Sequence, residues 1–206
     1  MPRVVTADQA VDITAITQLV ARERESRDLY RWNTMADCFF EDSLVDISWF
    51  RGTGKEFVEA SKDMYARGMV AKHRLGPILV SLNGDRAVAT LSGIIDIPMD
   101  IDGVAMTLSN HCIMVYKVEK REGAWGLMSF SGIYRRDEFI PALPGTSVVI
   151  PAEEVEGYRP AYRNLSWSLA RNGYEVNNEL PGEDRPETAA ALMAEVFTWA
   201  GLPVPD

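Results

Sequence analysis

Histidine is almost missing from this chain. Of its 206 residues only His73 and His111 carry an imidazole, and only Cys38 and Cys112 carry a thiol. The two cysteines are far apart and lack the spacing of metal ligands, so they read as reduced, buried thiols and no metal is expected. Positive charge is short as well. Lysine and arginine total 21 against 30 aspartates and glutamates, a net charge of −9. That balance excludes nucleic acid as the natural partner, because phosphates call for basic patches, and it disfavours anionic membrane surfaces. No apolar run approaches bilayer length. The N-terminal MPRVVTADQAVDITAI is interrupted by Asp and Gln and lacks the apolar centre of a secretory signal, so the cytoplasm is the expected compartment. GTGK at 52–55 lacks the rest of a phosphate-binding loop, and there are no repeats or low-complexity tracts.

What is present is an ordinary globular composition, 47% hydrophobic and 25% charged. Ile13, Ile16, Leu19, Val20 and Tyr30 share one face at helical period, which predicts a helix over 8–31. Arg27 falls inside that stripe and Asp28 on its edge. WNTMADCFF at 32–40 reads as a short helix, LVDISWF at 44–50 as a strand, and 52–68 as a helix. Then the pattern changes. Residues 70–82, 85–98, 104–119 and 124–137 read as four long strands joined by an Asn83-Gly84 turn, by DIDG at 100–103 and by REG at 121–123. Helices followed by an antiparallel meander give an α+β fold.

Residues 140–157, rich in proline and glycine, read as an extended connector. A helical extension over 158–206 follows, with a helix at 159–171 and a last one opened by Asp184, Pro186 and Glu187 and closed by Gly201 and Pro203. Leu192, Met193, Val196 and Phe197 form the apolar stripe of that last helix, which must pack on the preceding domain (1–139) or on a partner subunit.

The order of elements, with RDLYRWNTMADCFFEDSLVDISW, AKHRLGP and VYKVEKREGAWGLMSFSGIYRRDEF, resembles the nuclear transport factor two-like superfamily in its SnoaL-like branch, over about residues 8–139. The resemblance implies a cone-shaped α+β barrel with a curved, mainly antiparallel sheet, and a homodimer or homotrimer. It also implies a pocket in which an Asp from the end of the first helix meets a His from the start of the sheet. Placed on this sequence, these are Asp28 and His73. Such a pair removes a proton with no cofactor, because the carboxylate fixes the tautomer of the ring and raises the basicity of its other nitrogen. The tyrosine that scytalone dehydratase offers from the first strand corresponds here to Ile47, and the lysine of hexachlorocyclohexane dehydrochlorinase to Glu23, so neither mechanism transfers in detail.

Arg27 reads either as a buried partner of Glu23, one helical turn earlier, or as an oxyanion or carboxylate clamp in the pocket. Tyr30, Tyr65 and Tyr134 read either as core or rim aromatics or as substrate contacts. Strand alternation lets Asn110 or His111 face the pocket, but not both. The favoured reading is a cofactor-independent lyase, acting by elimination, dehydration or deformylation on a hydrophobic, aromatic small molecule. The alternatives are an isomerase and a non-catalytic subunit of the same fold.

Overall fold

A computed structural model describes residues 5–205; the first four residues of the N-terminal segment, and Asp206, lie outside the described residues. The first helix, α1 (Ala7–Asp28), starts in a capping box: Thr6 Oγ1 accepts the Gln9 N–H at 3.3 Å, and Gln9 Oε1 accepts the Thr6 N–H at 3.1 Å. It ends where Tyr30 takes a left-handed backbone, φ 61°. The short α2 (Trp32–Ala36) stops before Phe39, because residues 39–40 already belong to a strand. That strand, β1 (Phe39–Ile47), turns through Ser48-Trp49 into the short β2 (Phe50–Gly52). The expected strand at 44–50 is therefore two strands. Thr53 and Glu56 form a second capping box at the start of α3 (Gly54–Ala66).

The first of the four expected long strands is also broken. Gly76-Pro77 separates β3 (Lys72–Leu75) from β4 (Leu79–Asn83), and the two share one edge of β5 (Arg86–Ile101). Proline has no N–H for the ladder, and Gly76 lies so close to β5 that an added Cβ would sit 2.9 Å from the Ser92 carbonyl oxygen. β5 pairs antiparallel with β6 (Val104–Arg121), and β6 with β7 (Ala124–Pro141). Asp102-Gly103 and Glu122-Gly123 connect them, with positive φ at both residues as a type I′ turn requires.

β1 joins β7 in parallel, giving the order β2-β1-β7-β6-β5-β3, with β4 also on β5. The result is an α+β fold whose curved, mixed sheet stays unclosed. Even-numbered residues of β6, from Leu108 to Val118, face α1 and α3 and carry the main core. Odd-numbered Val115 joins Val88 and Ile133 on the opposite face.

The C-terminal chain covers that opposite face and one end of the sheet. A one-turn helix, α4 (Ala152–Val155), interrupts the expected extended connector. A 3-10 turn at Pro160–Tyr162 leads into α5 (Arg163–Arg171). The last helix, α6 (Pro186–Trp199), lays Val196 and Phe197 on Val88, Val115 and Ile133. It lacks the expected capping box. Asp184 is taken instead by Arg159, at 2.5 and 3.1 Å, and Arg185 occupies the cap without a side-chain bond. No helix among the described residues is long and apolar enough to cross a membrane.

Candidate active site

Asp28 is the last residue of α1, and His73 the second of β3. The carboxylate holds the histidine at two points: Oδ2 accepts the His73 backbone N–H at 2.7 Å, and Oδ1 lies 2.5 Å from ring Nδ1. Both side chains are withdrawn from solvent, His73 to 5% exposure and Asp28 to 17%. Burial alone would raise the Asp28 carboxyl, but the hydrogen bonds and charge of His73 outweigh it and hold the group below the ordinary carboxylate value. Asp28 is thus ionised at neutral pH. Nδ1 must then carry the hydrogen, which leaves Nε2 as the accepting nitrogen, with Arg24 Nη1 3.4 Å away. Burial pushes the imidazole below its usual value; Asp28 opposes this, and the cations of Arg24 and Arg27 reinforce it. The ring is therefore neutral at pH 7 and able to accept a proton.

His73 lines a cavity between the sheet and the helices. Its walls are mostly apolar: Ile47, Trp49, Phe57, Ile95 and Phe130, with Met64, Met69 and Met114. Leu165 and Leu169 of α5 close one side, so the C-terminal extension helps build the cavity. The cavity is narrow, about 60 Å³, and the three thioether side chains are the adaptable part of its wall. Polar groups reach it from Arg24, Arg27, Ser48, His73 and Tyr134. The Tyr134 hydroxyl accepts the Ser48 backbone N–H at 2.9 Å, and burial raises the phenol, which keeps its proton. A β-bulge sets this aim, since Cys112 pairs with Tyr134 and His111 with Arg136, leaving Arg135 extra.

Arg24 sits between the dyad and the core. Its Nη1 is 3.4 Å from His73 Nε2, and its guanidinium lies 4.6 Å from the Phe130 ring centre. It is buried with Glu23 in a two-point ion pair. One of the two sequence readings of Arg27 paired it with Glu23; the structure pairs Glu23 with Arg24 instead. Arg27 is itself buried, and its contacts are of another kind: Nη2 donates to the Met64 thioether at 3.6 Å, and the guanidinium lies 5.8 Å from the Trp32 ring. Burial, then the neighbouring Arg24 charge, lowers the guanidinium to about 10, so it remains a cation at pH 7.

Three expected substrate contacts lie elsewhere. Tyr30 and Tyr65 pack on each other at a tilt outside the cavity, ring centres 4.1 Å apart, and Tyr65 is 41% exposed. The positive φ at Tyr30 turns the chain away at the helix end. His111 points to the opposite face of β6 and lies 3.3 Å from Glu138. Asn110 therefore takes the inward face, with Cys112 and Met114; it is fully buried, and neither polar atom of its amide has a partner among the described residues. The sequence reading does not place Arg24 in the pocket, although Ile16, Val20, Glu23, Arg24 and Arg27 recur at helical spacing on one buried face. No group of three or more His, Cys, Asp or Glu among the described residues is placed to hold a metal ion.

Comparison with known proteins agrees with this architecture. A family model described as a SnoaL-like domain matches residues 8–130. A PEP2-like protein of Fusarium vanettenii is 30% identical over 163 residues, covering 77% of this chain and 70% of that protein. An uncharacterized protein of Emericella nidulans is 26% identical over 168 residues, covering 77% and 71%. Among solved structures, a hexachlorocyclohexane dehydrochlorinase from Novosphingobium barchaimii superposes with a TM-score of 0.56 at 16% identity, over 70% of this chain and 98% of that one. At that identity the likeness is one of fold.

Proposed function

The chain belongs to the SnoaL-like domain family, and on that premise we propose that it is a cofactor-independent lyase for a hydrophobic, aromatic small molecule. The contact that carries the reading is the 2.5 Å bond between Asp28 Oδ1 and His73 Nδ1, made by a buried ring that lines an apolar cavity. Dehydrochlorination, the activity in the name of the dehydrochlorinase that shares the fold, is an elimination of the kind such a pair can perform.

The reaction is a 1,2-elimination. His73 Nε2 takes a proton from carbon, and the C–H electron pair becomes the new π bond. The bond to the leaving group breaks, and its electron pair departs with that group. Where the leaving group is hydroxide, the Tyr134 hydroxyl supplies the proton that releases it as water; the imidazolium and tyrosinate then exchange that proton as product leaves. Asp28 stabilises the imidazolium without itself becoming protonated. Base catalysis of this kind contributes roughly 10²–10⁴-fold, and orientation in a dry cavity supplies the remainder.

The test is turnover of a panel of aromatic compounds bearing β-hydroxyl or β-halogen groups, followed by mass spectrometry. Loss of H–X by the native protein and not by His73→Ala supports the proposal. Products of unchanged mass would make the protein an isomerase. Equal turnover by both proteins would remove His73 from the chemistry.

A further inference from the structure

Of the two buried guanidiniums around the dyad, one touches a carboxylate and the other does not. Glu23 is committed to Arg24 by two contacts. Asp28 is committed to the ring and backbone of His73. Arg27, at 3% exposure, has no carboxylate within salt-bridge distance, and its Nη1 has no hydrogen-bond partner among the described residues. Among the described residues its guanidinium touches a thioether sulfur and the face of an indole, and feels Asp28 and Glu23 only through charge. Yet the group lines the cavity that holds His73.

A guanidinium presents five donors in a planar fork, and leaving that fork buried and unmatched is costly unless a ligand completes it. The fork matches the two oxygens of a carboxylate. We infer that Arg27 is the anchor for a carboxylate carried by the substrate, so that the compound acted on is an apolar carboxylic acid whose ring and leaving group extend along the methionine-lined wall. This rests on the reading of the cavity as the reactive site, and it narrows the substrate from aromatic compounds in general to their acids. Glu23 and Asp28, already engaged, do not compete for Arg27.

The experiment compares benzoate with benzamide, its neutral isostere, by calorimetric titration of the wild type, Arg27→Met and His73→Ala. The wild type should prefer benzoate by roughly ten-fold or more, as a charge-assisted fork demands. Arg27→Met should lose that preference while retaining benzamide, and His73→Ala should keep it. Failure of the anion site thus shows in binding, whereas failure of the base assignment shows in turnover. If Arg27→Met does not fold, the wild-type comparison decides alone. Equal affinity for the two probes, absence of benzoate binding, or a benzoate preference that survives in Arg27→Met would overturn the inference.

Discussion

Glu23 and Arg24 are neighbours along the chain and partners in space, a fully buried ion pair whose cation touches Nε2 of His73. Adjacent helix residues point about 100° apart, so the pairing depends on the long arginine stem folding back beside the glutamate. The pair keeps a positive charge next to the base and thereby favours the neutral imidazole. Tyr116 stands on its far side, its hydroxyl 3.5 Å from Glu23 Oε2.

Removing one member of this pair is expected to harm the fold more than removing both. Glu23→Gln leaves Arg24 uncompensated in the core and should cost about 3–5 kcal/mol, while Glu23→Leu with Arg24→Met should lie near neutrality. Denaturant unfolding of Glu23→Leu, Arg24→Met and the double variant measures the coupling. A double variant as unstable as Glu23→Gln would contradict the account.

Asp28→Asn tests the orientation of the ring. An amide in place of the carboxylate can donate to Nδ1, which puts the hydrogen on Nε2 and removes the lone pair from the cavity. Turnover should fall by roughly 10²–10⁴-fold, close to the loss in His73→Ala. Nitrogen chemical shifts of the imidazole report the tautomer directly; an unchanged tautomer together with full activity would show that Asp28 does not orient the base.

The pH dependence follows from the lowered His73 value. In the unfolded chain the ring titrates near 6.5, and in the folded protein lower. The stability this neutral ring contributes is present above about pH 6.5 and is lost as pH falls through the interval down to the folded value. Between the two values the slope approaches ~1.4 kcal/mol per pH unit. His73→Asn should flatten that part of the profile, and the acid limb of turnover should lie below 6.5 in the wild type. An acid limb above 6.5 would mean that Asp28 prevails over burial and the two arginines.

Much of this fold is legible in the residues. The meander is written in its turns, because Asp102-Gly103 and Glu122-Gly123 can hardly do anything else. The dyad is legible only through family resemblance, since 45 residues separate its members and no local pattern links them. Asp184 shows where local signals fail: its place two residues before Pro186 suggests a helix cap, but Arg159, 25 residues earlier, claims the carboxylate. Tyr30 and Tyr65 fail for a related reason, because periodicity gives a face of the helix but not which neighbour will cover it.

The last helix offers a test that keeps stability apart from chemistry. Phe197 lies on the sheet face opposite the cavity, packed with Val88, Val115 and Ile133, whereas Leu165 and Leu169 of α5 reach the cavity itself. Phe197→Ala should therefore cost about 3–5 kcal/mol, near the lower end because the ring keeps 9% of its exposure. At a temperature where the variant is still folded its turnover should match the wild type. Leu169→Ala removes a similar apolar contact from the cavity wall, and should raise KM by loosening the substrate as well as lowering the melting temperature. A Phe197→Ala protein that is fully folded but has lost turnover would link the outer face of the sheet to the site through the shared strands β5, β6 and β7, and the two faces could then no longer be treated as independent.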